Sequence, residues 1–158
     1  MTGGVRSERR FARFFDASGY AVLRSPASGS RTDRDQPDVF AARSRDRFAA
    51  EIKTVAANET AYLDNSELEQ LTRFARRAES LPLVVVRWKQ DRTFYLFALD
   101  DLDVASSTTR KATPDDQPDA IARLADCDDE TEWQSTGDAL SPDDVADQGV
   151  TLDTWGGA

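Results

Sequence analysis

The stretch that most constrains this chain runs from Pro37 to Lys53. Two short apolar runs, Val39-Phe40-Ala41-Ala42 and Phe48-Ala49-Ala50, flank the polar residues Arg43 to Arg47, and the second run continues into Glu51-Ile52-Lys53. Apolar runs of this length around a polar break are expected to pair as a hairpin. Strand side chains alternate faces, so Glu51 and Lys53 share one surface while Ile52 faces the other. Asp38 heads the first run, and pairing across Arg43 to Arg47 brings it beside Glu51 at the strand end. Two carboxylates at that distance repel unless a cation lies between them, and hard oxygen ligands of this kind suit Mg²⁺. A hairpin with a solvated, salt-bridging face has the same letters, and the short D…ExK spacing alone does not separate the two readings.

A chain of 158 residues fits one domain of ordinary size with an appendage. No apolar run is long enough to span a bilayer, and Met1 to Arg10 lacks the apolar stretch of a signal peptide, so a cytoplasmic setting without membrane contact is expected. The single Cys127 cannot form an internal disulfide, and the absence of histidine argues against zinc. It also removes the commonest general base. Catalysis would have to use carboxylates, lysine, tyrosine, serine or a metal-activated water.

The formal charge of −9 speaks against a nucleic-acid partner until its distribution is considered. Residues 1–99 hold 17 basic and 13 acidic side chains, a net of plus four, whereas residues 100–158 hold 3 and 16, a net of minus thirteen. Aspartate outnumbers glutamate 21 to 8, and only Lys53, Lys89 and Lys111 are lysines. Such usage resembles a halophilic protein, in which surface acidity reflects a salt-rich solvent rather than the partner.

Along the chain, Ser7 or a neighbour is expected to cap a helix reaching Ala17 and ended by Ser18-Gly19. Phe11, Phe14 and Phe15 mark its buried stripe, and Glu8 lies on the same stripe. A buried carboxylate needs a partner or a metal; an acidic residue complementing the helix dipole is the alternative. Arg9, Arg10 and Arg13 occupy the other faces, as solvated side chains or as phosphate contacts. Tyr20 to Arg24 reads as a buried strand. Residues 25–36 read as a flexible loop carrying Ser28, Ser30, Arg31 and Arg34, either an ordinary connection or a loop able to embrace a phosphate backbone. Thr54 to Asn65 reads as a connection. Leu68, Leu71, Phe74, Ala75 and Ala78 predict an amphipathic helix from Asn65, and Leu83 to Trp88 and Phe94 to Ala98 a second hairpin. The order predicts an α/β fold, a mixed central β-sheet flanked by helices. It divides into a domain over 1–99 and an acidic C-terminal extension over 100–158, partly disordered or docked, with Trp133 and Trp155 arguing against full disorder.

Glu8 on the first helix, Asp38 at a strand end and Glu51-Ile52-Lys53 on the next strand follow the order of the restriction-endonuclease-like PD-(D/E)xK nucleases. More narrowly, residues 3 to 99 resemble the archaeal Holliday junction resolvases. The resemblance is carried by Gly4 through Arg9, Gly19 through Ser25, Ser28-Gly29-Ser30, Pro37-Asp38-Val39, Glu51 through Thr54, Tyr62-Leu63 and Leu71 through Arg77. It implies catalysis by Glu8, Asp38, Glu51 and Lys53 with Ser28 of the flexible loop, and Mg²⁺ on Glu8, Asp38 and Glu51, with Mn²⁺ as a substitute. It implies DNA contacts from Arg9 and Arg24, to which the neighbouring Arg10, Ser30, Arg31 and Arg34 are added as candidates. Four-way junction DNA would be the substrate and a homodimer the acting form, with Leu71 and Phe74 in an apolar interface; packing of that helix on the sheet is the alternative. Where relatives carry lysine-rich surfaces, this chain has arginines and aspartates, so phosphate neutralisation would contribute differently to affinity. Another nuclease of the same fold and a non-catalytic DNA-binding module remain the rival readings.

Overall fold

A computed structural model describes residues 3–25, 35–44, 46–89 and 93–120, and the backbone of 122–125. The first helix, α1 (Gly3–Ala17), is followed by three antiparallel strands, β1 (Ala21–Arg24), β2 (Val39–Arg43) and β3 (Asp46–Val55). After β4 (Ala61–Asp64) and α2 (Asn65–Arg77) come β5 (Leu81–Trp88) and β6 (Thr93–Phe97), and the chain continues through β7 (Asp103–Val104), β8 (Thr109–Ala112) and β9 (Ala122–Ala125). The main sheet has the order β1-β2-β3-β5-β6-β9, with β3 and β5 parallel and all other neighbours antiparallel. A smaller sheet has the order β4-β8-β7. The expected mixed α/β architecture is what forms.

The alternation of side chains in β3 divides the core into two layers. Phe48, Ala50 and Ile52 join Phe11, Phe14 and Phe15 of α1, while Ala49 faces Leu68, Leu71 and Ala75 of α2. The aromatic rings of the first layer meet edge to face, Phe11 with Phe15 at 5.1 Å and with Phe94 at 5.6 Å. One helix therefore covers each face of the sheet.

The stop of α1 follows the sequence closely. Gly19 has φ +87°, its N–H bonds to the carbonyl of Asp16, and the N–H of Tyr20 bonds to the carbonyl of Phe15, a Schellman closure. The Tyr20 and Phe15 rings meet edge to face beside that closure at 5.3 Å. The start differs. The helix begins at Gly3, so Ser7 is internal and buried, and its hydroxyl accepts a hydrogen bond from Thr54 at 2.8 Å rather than capping.

Two further expectations are corrected, and a third observation bears on the division of the chain. β1 is the edge strand of the sheet, with Leu23 72% exposed, because no strand among the described residues pairs on its far side. The connection from Thr54 to Asn65 contains β4, whose Ala61 and Leu63 are fully buried. The division at residue 99 is crossed by ladder hydrogen bonds: β8 pairs with β4, β9 pairs with β6, and Leu102 and Ala112 lie in the α2-side core. Residues 126–158, with Cys127, Trp133 and Trp155, lie outside the described residues.

Candidate active site

The β2–β3 register pairs Val39 with Ala50, so Asp38 and Glu51 stand opposite each other one step beyond the ladder. Asp38 is fixed twice. Its carbonyl accepts the N–H of Ser25, and its Oδ2 accepts the N–H of Ile52 at 2.8 Å. The second bond ties the carboxylate of one strand to the backbone of the other, which explains why Asp38 sits at the last position before β2.

Glu51 is hydrogen-bonded to Asp38. Burial, then the Asp38 charge and that hydrogen bond, push the Glu51 carboxyl up to about 9, against the opposing pull of Lys53. Glu8 comes from α1 in the other layer. Its carboxyl is raised by burial and by the Asp38 charge, while Arg24 acts in the opposite direction, its Nη1 3.7 Å from Glu8 Oε2. That distance makes an ion pair too long for a hydrogen bond.

Lys53 follows Glu51 on the same face and donates to Glu67 Oε1 at 2.9 Å. Burial alone would lower its pKa; the hydrogen bond and charge of Glu67, with the charges of Glu51 and Asp38, raise it instead. The structure thus gathers Glu8, Asp38, Glu51, Lys53 and Arg24 in one neighbourhood. It adds Glu67 of α2, which the sequence reading passed over. Its one legible signal was the spacing Asp64-x-x-Glu67 before an apolar run, which marks a capping box, and the box forms.

Arg9 is exposed and Arg10 half-buried on α1. Ser28, Ser30, Arg31 and Arg34 lie outside the described residues. Leu71 is 1% exposed, packed in the α2-side core, so helix-on-sheet packing accounts for it and it presents no surface to a second copy. Phe74 is half-buried and meets Phe40 edge to face at 5.5 Å.

The donor chemistry fits a hard divalent cation: two facing carboxyl groups whose mutual repulsion a cation would relieve. Among the described residues no three acidic side chains form a ready-made metal cage. Two direct carboxylates would leave the remaining coordination positions to water and phosphate.

Comparison with known proteins bears on the fold and the family. Over 75 residues the chain is 31% identical to the crossover junction endodeoxyribonuclease Hjc of Sulfurisphaera tokodaii, a stretch covering 48% of this chain and 52% of that protein. The chain thus spans about half the length of that relative. It is 28% identical over 96 residues to the Hjc of Sulfolobus acidocaldarius, covering 61% of this chain and 67% of that one. The structure of Archaeoglobus fulgidus Hjc, a Holliday junction resolvase from an archaeal hyperthermophile, superposes with a TM-score of 0.57. At 22% identity over 69% of this chain and 88% of that one, this likeness establishes the fold. The family model of archaeal Holliday junction resolvases (Hjc) matches residues 2–114, through β8, and the chain belongs to that family.

Proposed function

We propose that this chain is a Mg²⁺-dependent, structure-specific endonuclease that cuts opposing strands of four-way DNA junctions in recombination and repair. The observation that carries the reading is the facing pair of carboxylates, Asp38 and Glu51, at the end of the β2–β3 hairpin, with Lys53 next on the same face. Family membership supplies the substrate class.

Hydrolysis of a phosphodiester develops negative charge on the non-bridging oxygens and on the leaving 3′-oxygen. A bound divalent cation neutralises that charge and acidifies a water. Asp38 and Glu51 would hold it directly, with Glu8 acting through water; Mn²⁺ satisfies the same ligands. The Lys53 ammonium would stabilise charge at the phosphoryl oxygens or orient the attacking water, the role that a histidine is not available to fill. Arg9, Arg10 and Arg24 would grip the scissile and neighbouring phosphates, joined by Ser28, Ser30, Arg31 and Arg34 of the segment before Asp38. Such contacts read backbone geometry rather than base identity, so recognition is by junction shape.

One chain offers one such site, and cutting two opposing strands in step calls for two. A symmetric homodimer provides them, with the half-buried Phe74 on α2 as the remaining apolar candidate for the interface. No helix among the described residues is long and apolar enough to cross a membrane. A salt-rich cytoplasm is the proposed setting.

The decisive assay compares a synthetic four-way junction with matched linear duplex, with and without Mg²⁺, at high salt. Symmetric nicks on opposite strands of the junction, dependent on the cation, are expected. Equal cutting of linear duplex would overturn the junction assignment and leave a general nuclease of this fold.

A further inference from the structure

Glu67 uses its two carboxylate oxygens for two different jobs. Oε2 accepts the N–H of Asp64 at 3.0 Å, closing the capping box at the start of α2, and Oε1 accepts the Lys53 ammonium at 2.9 Å. The helix start is itself held from outside. The N–H of Asn65 bonds to the carbonyl of Thr108 at 2.9 Å and its side-chain amide to the carbonyl of Ser107 at 3.1 Å. The segment 107–108 leads into β8, which pairs with β4 immediately before the cap. A continuous set of hydrogen bonds therefore runs from the small sheet through the cap to the tip of Lys53.

Lysine is a point charge on a flexible four-carbon stem, and a partly exposed lysine without a fixed partner samples many rotamers. A misplacement of about 1 Å at a reacting centre costs about 100-fold in rate. We propose that Glu67 is the positioning residue for Lys53: braced by the β4-β8-β7 sheet, it fixes the ammonium beside the Asp38–Glu51 pair in the geometry that cleavage requires. This rests on the nuclease reading above and assigns the small sheet a part in it. Glu67 itself touches neither DNA nor the reacting atoms.

The two jobs can be separated chemically, because glutamine has only one acceptor oxygen where glutamate has two. In Glu67→Gln that oxygen can keep the cap, while the Lys53 link is lost or becomes neutral. In Glu67→Ala both are lost. The full-length variants are compared with wild type by four readouts: single-turnover cleavage of a four-way junction at saturating protein with Mg²⁺, junction Kd without Mg²⁺, Tm, and the ¹H–¹⁵N signal of the Lys53 ammonium. For E67Q the expected result is a 10- to 100-fold slower cleavage step, Kd within about threefold, Tm within a few degrees and loss of the protected ammonium signal. E67A should show the same rate loss with a lower Tm. Wild-type cleavage rates in E67Q, or rate losses that follow Tm across both variants, would assign Glu67 to the cap alone and overturn the proposal while leaving the nuclease reading intact. A wild-type chain that cuts no DNA would sink both.

Discussion

At the scale of single residues, the site is a balance of charges that a metal would complete. Asp38→Ala, Glu51→Ala and Lys53→Ala are each expected to slow junction cleavage by at least about 100-fold with binding within a few-fold of wild type. Gel-shift and cleavage assays on the same preparations check this, and joint loss of binding and fold would mark these groups as structural. Glu51 also predicts a pH dependence. Its carboxyl keeps its proton up to about 9 in the folded chain and releases it near the ordinary 4.5 when unfolded. Between those values the folded state binds more protons, so metal-free stability falls as pH rises through that window. Glu8, also raised, adds in the same direction. Tm measured without divalent cation should therefore drop by several degrees from pH 5 to 9. Glu51→Gln should flatten that slope, and so should Mg²⁺. A slope unchanged in the variant would show that Glu51 does not sit in the environment described. Glu51 and Lys53 were legible in the sequence because strand alternation fixes which residues share a face, and Glu8 because it lies on the apolar stripe of its helix. Glu67 was not, since its sequence signal concerns the helix end and its second oxygen reaches a residue fourteen positions away.

At the scale of elements, a segment is legible where its partner lies close by in the sequence. The α1 stop is one such case. Gly19→Ala places a side chain on a backbone at φ +87°, with only the Arg43 Cδ near its new Cβ at 3.9 Å, so the penalty is conformational rather than steric crowding. A loss of about 1 kcal/mol is expected, seen as a Tm lower by a few degrees with the cleavage rate unchanged. A neutral result would mean that the Schellman closure is not limiting. The hairpin β2–β3, the helix α2 and the pair β5–β6 are legible for the same reason, because periodicity and turns lie within one stretch. β4 is not legible, because four residues, Ala-Tyr-Leu-Asp, form a strand only against β8, nearly fifty residues later, and Thr-Arg-Lys-Ala in β8 carries no apolar alternation. The apolar letters of β1 predict a buried strand, yet exposure is decided by strand order, which periodicity does not encode.

At the scale of the whole molecule, the change from a basic to an acidic composition near residue 100 reads as a domain boundary, but the hydrogen bonds do not follow the charge. Removing everything after Asp100 deletes the strand that pairs with β4 and the strand that pairs with β6. It also takes away Leu102 and Ala112, and so uncovers part of the layer formed by Ala61, Leu63, Leu68 and Leu71. Each unpaired strand edge and each uncovered apolar side chain weakens the same layer that holds α2, and with it Glu67 and Lys53. A 1–100 fragment is therefore expected to lose cooperative thermal unfolding, or to melt at least about 10 °C lower, and to bind junction DNA poorly. A 1–125 fragment keeps all the described elements and should retain both properties, so near-UV circular dichroism on the two fragments separates a structural role of residues 101–125 from a role of the acidic residues beyond them. If the 1–100 fragment melts as sharply as the longer one, the small sheet is an ornament and its bracing of the lysine is refuted at the level of the fold.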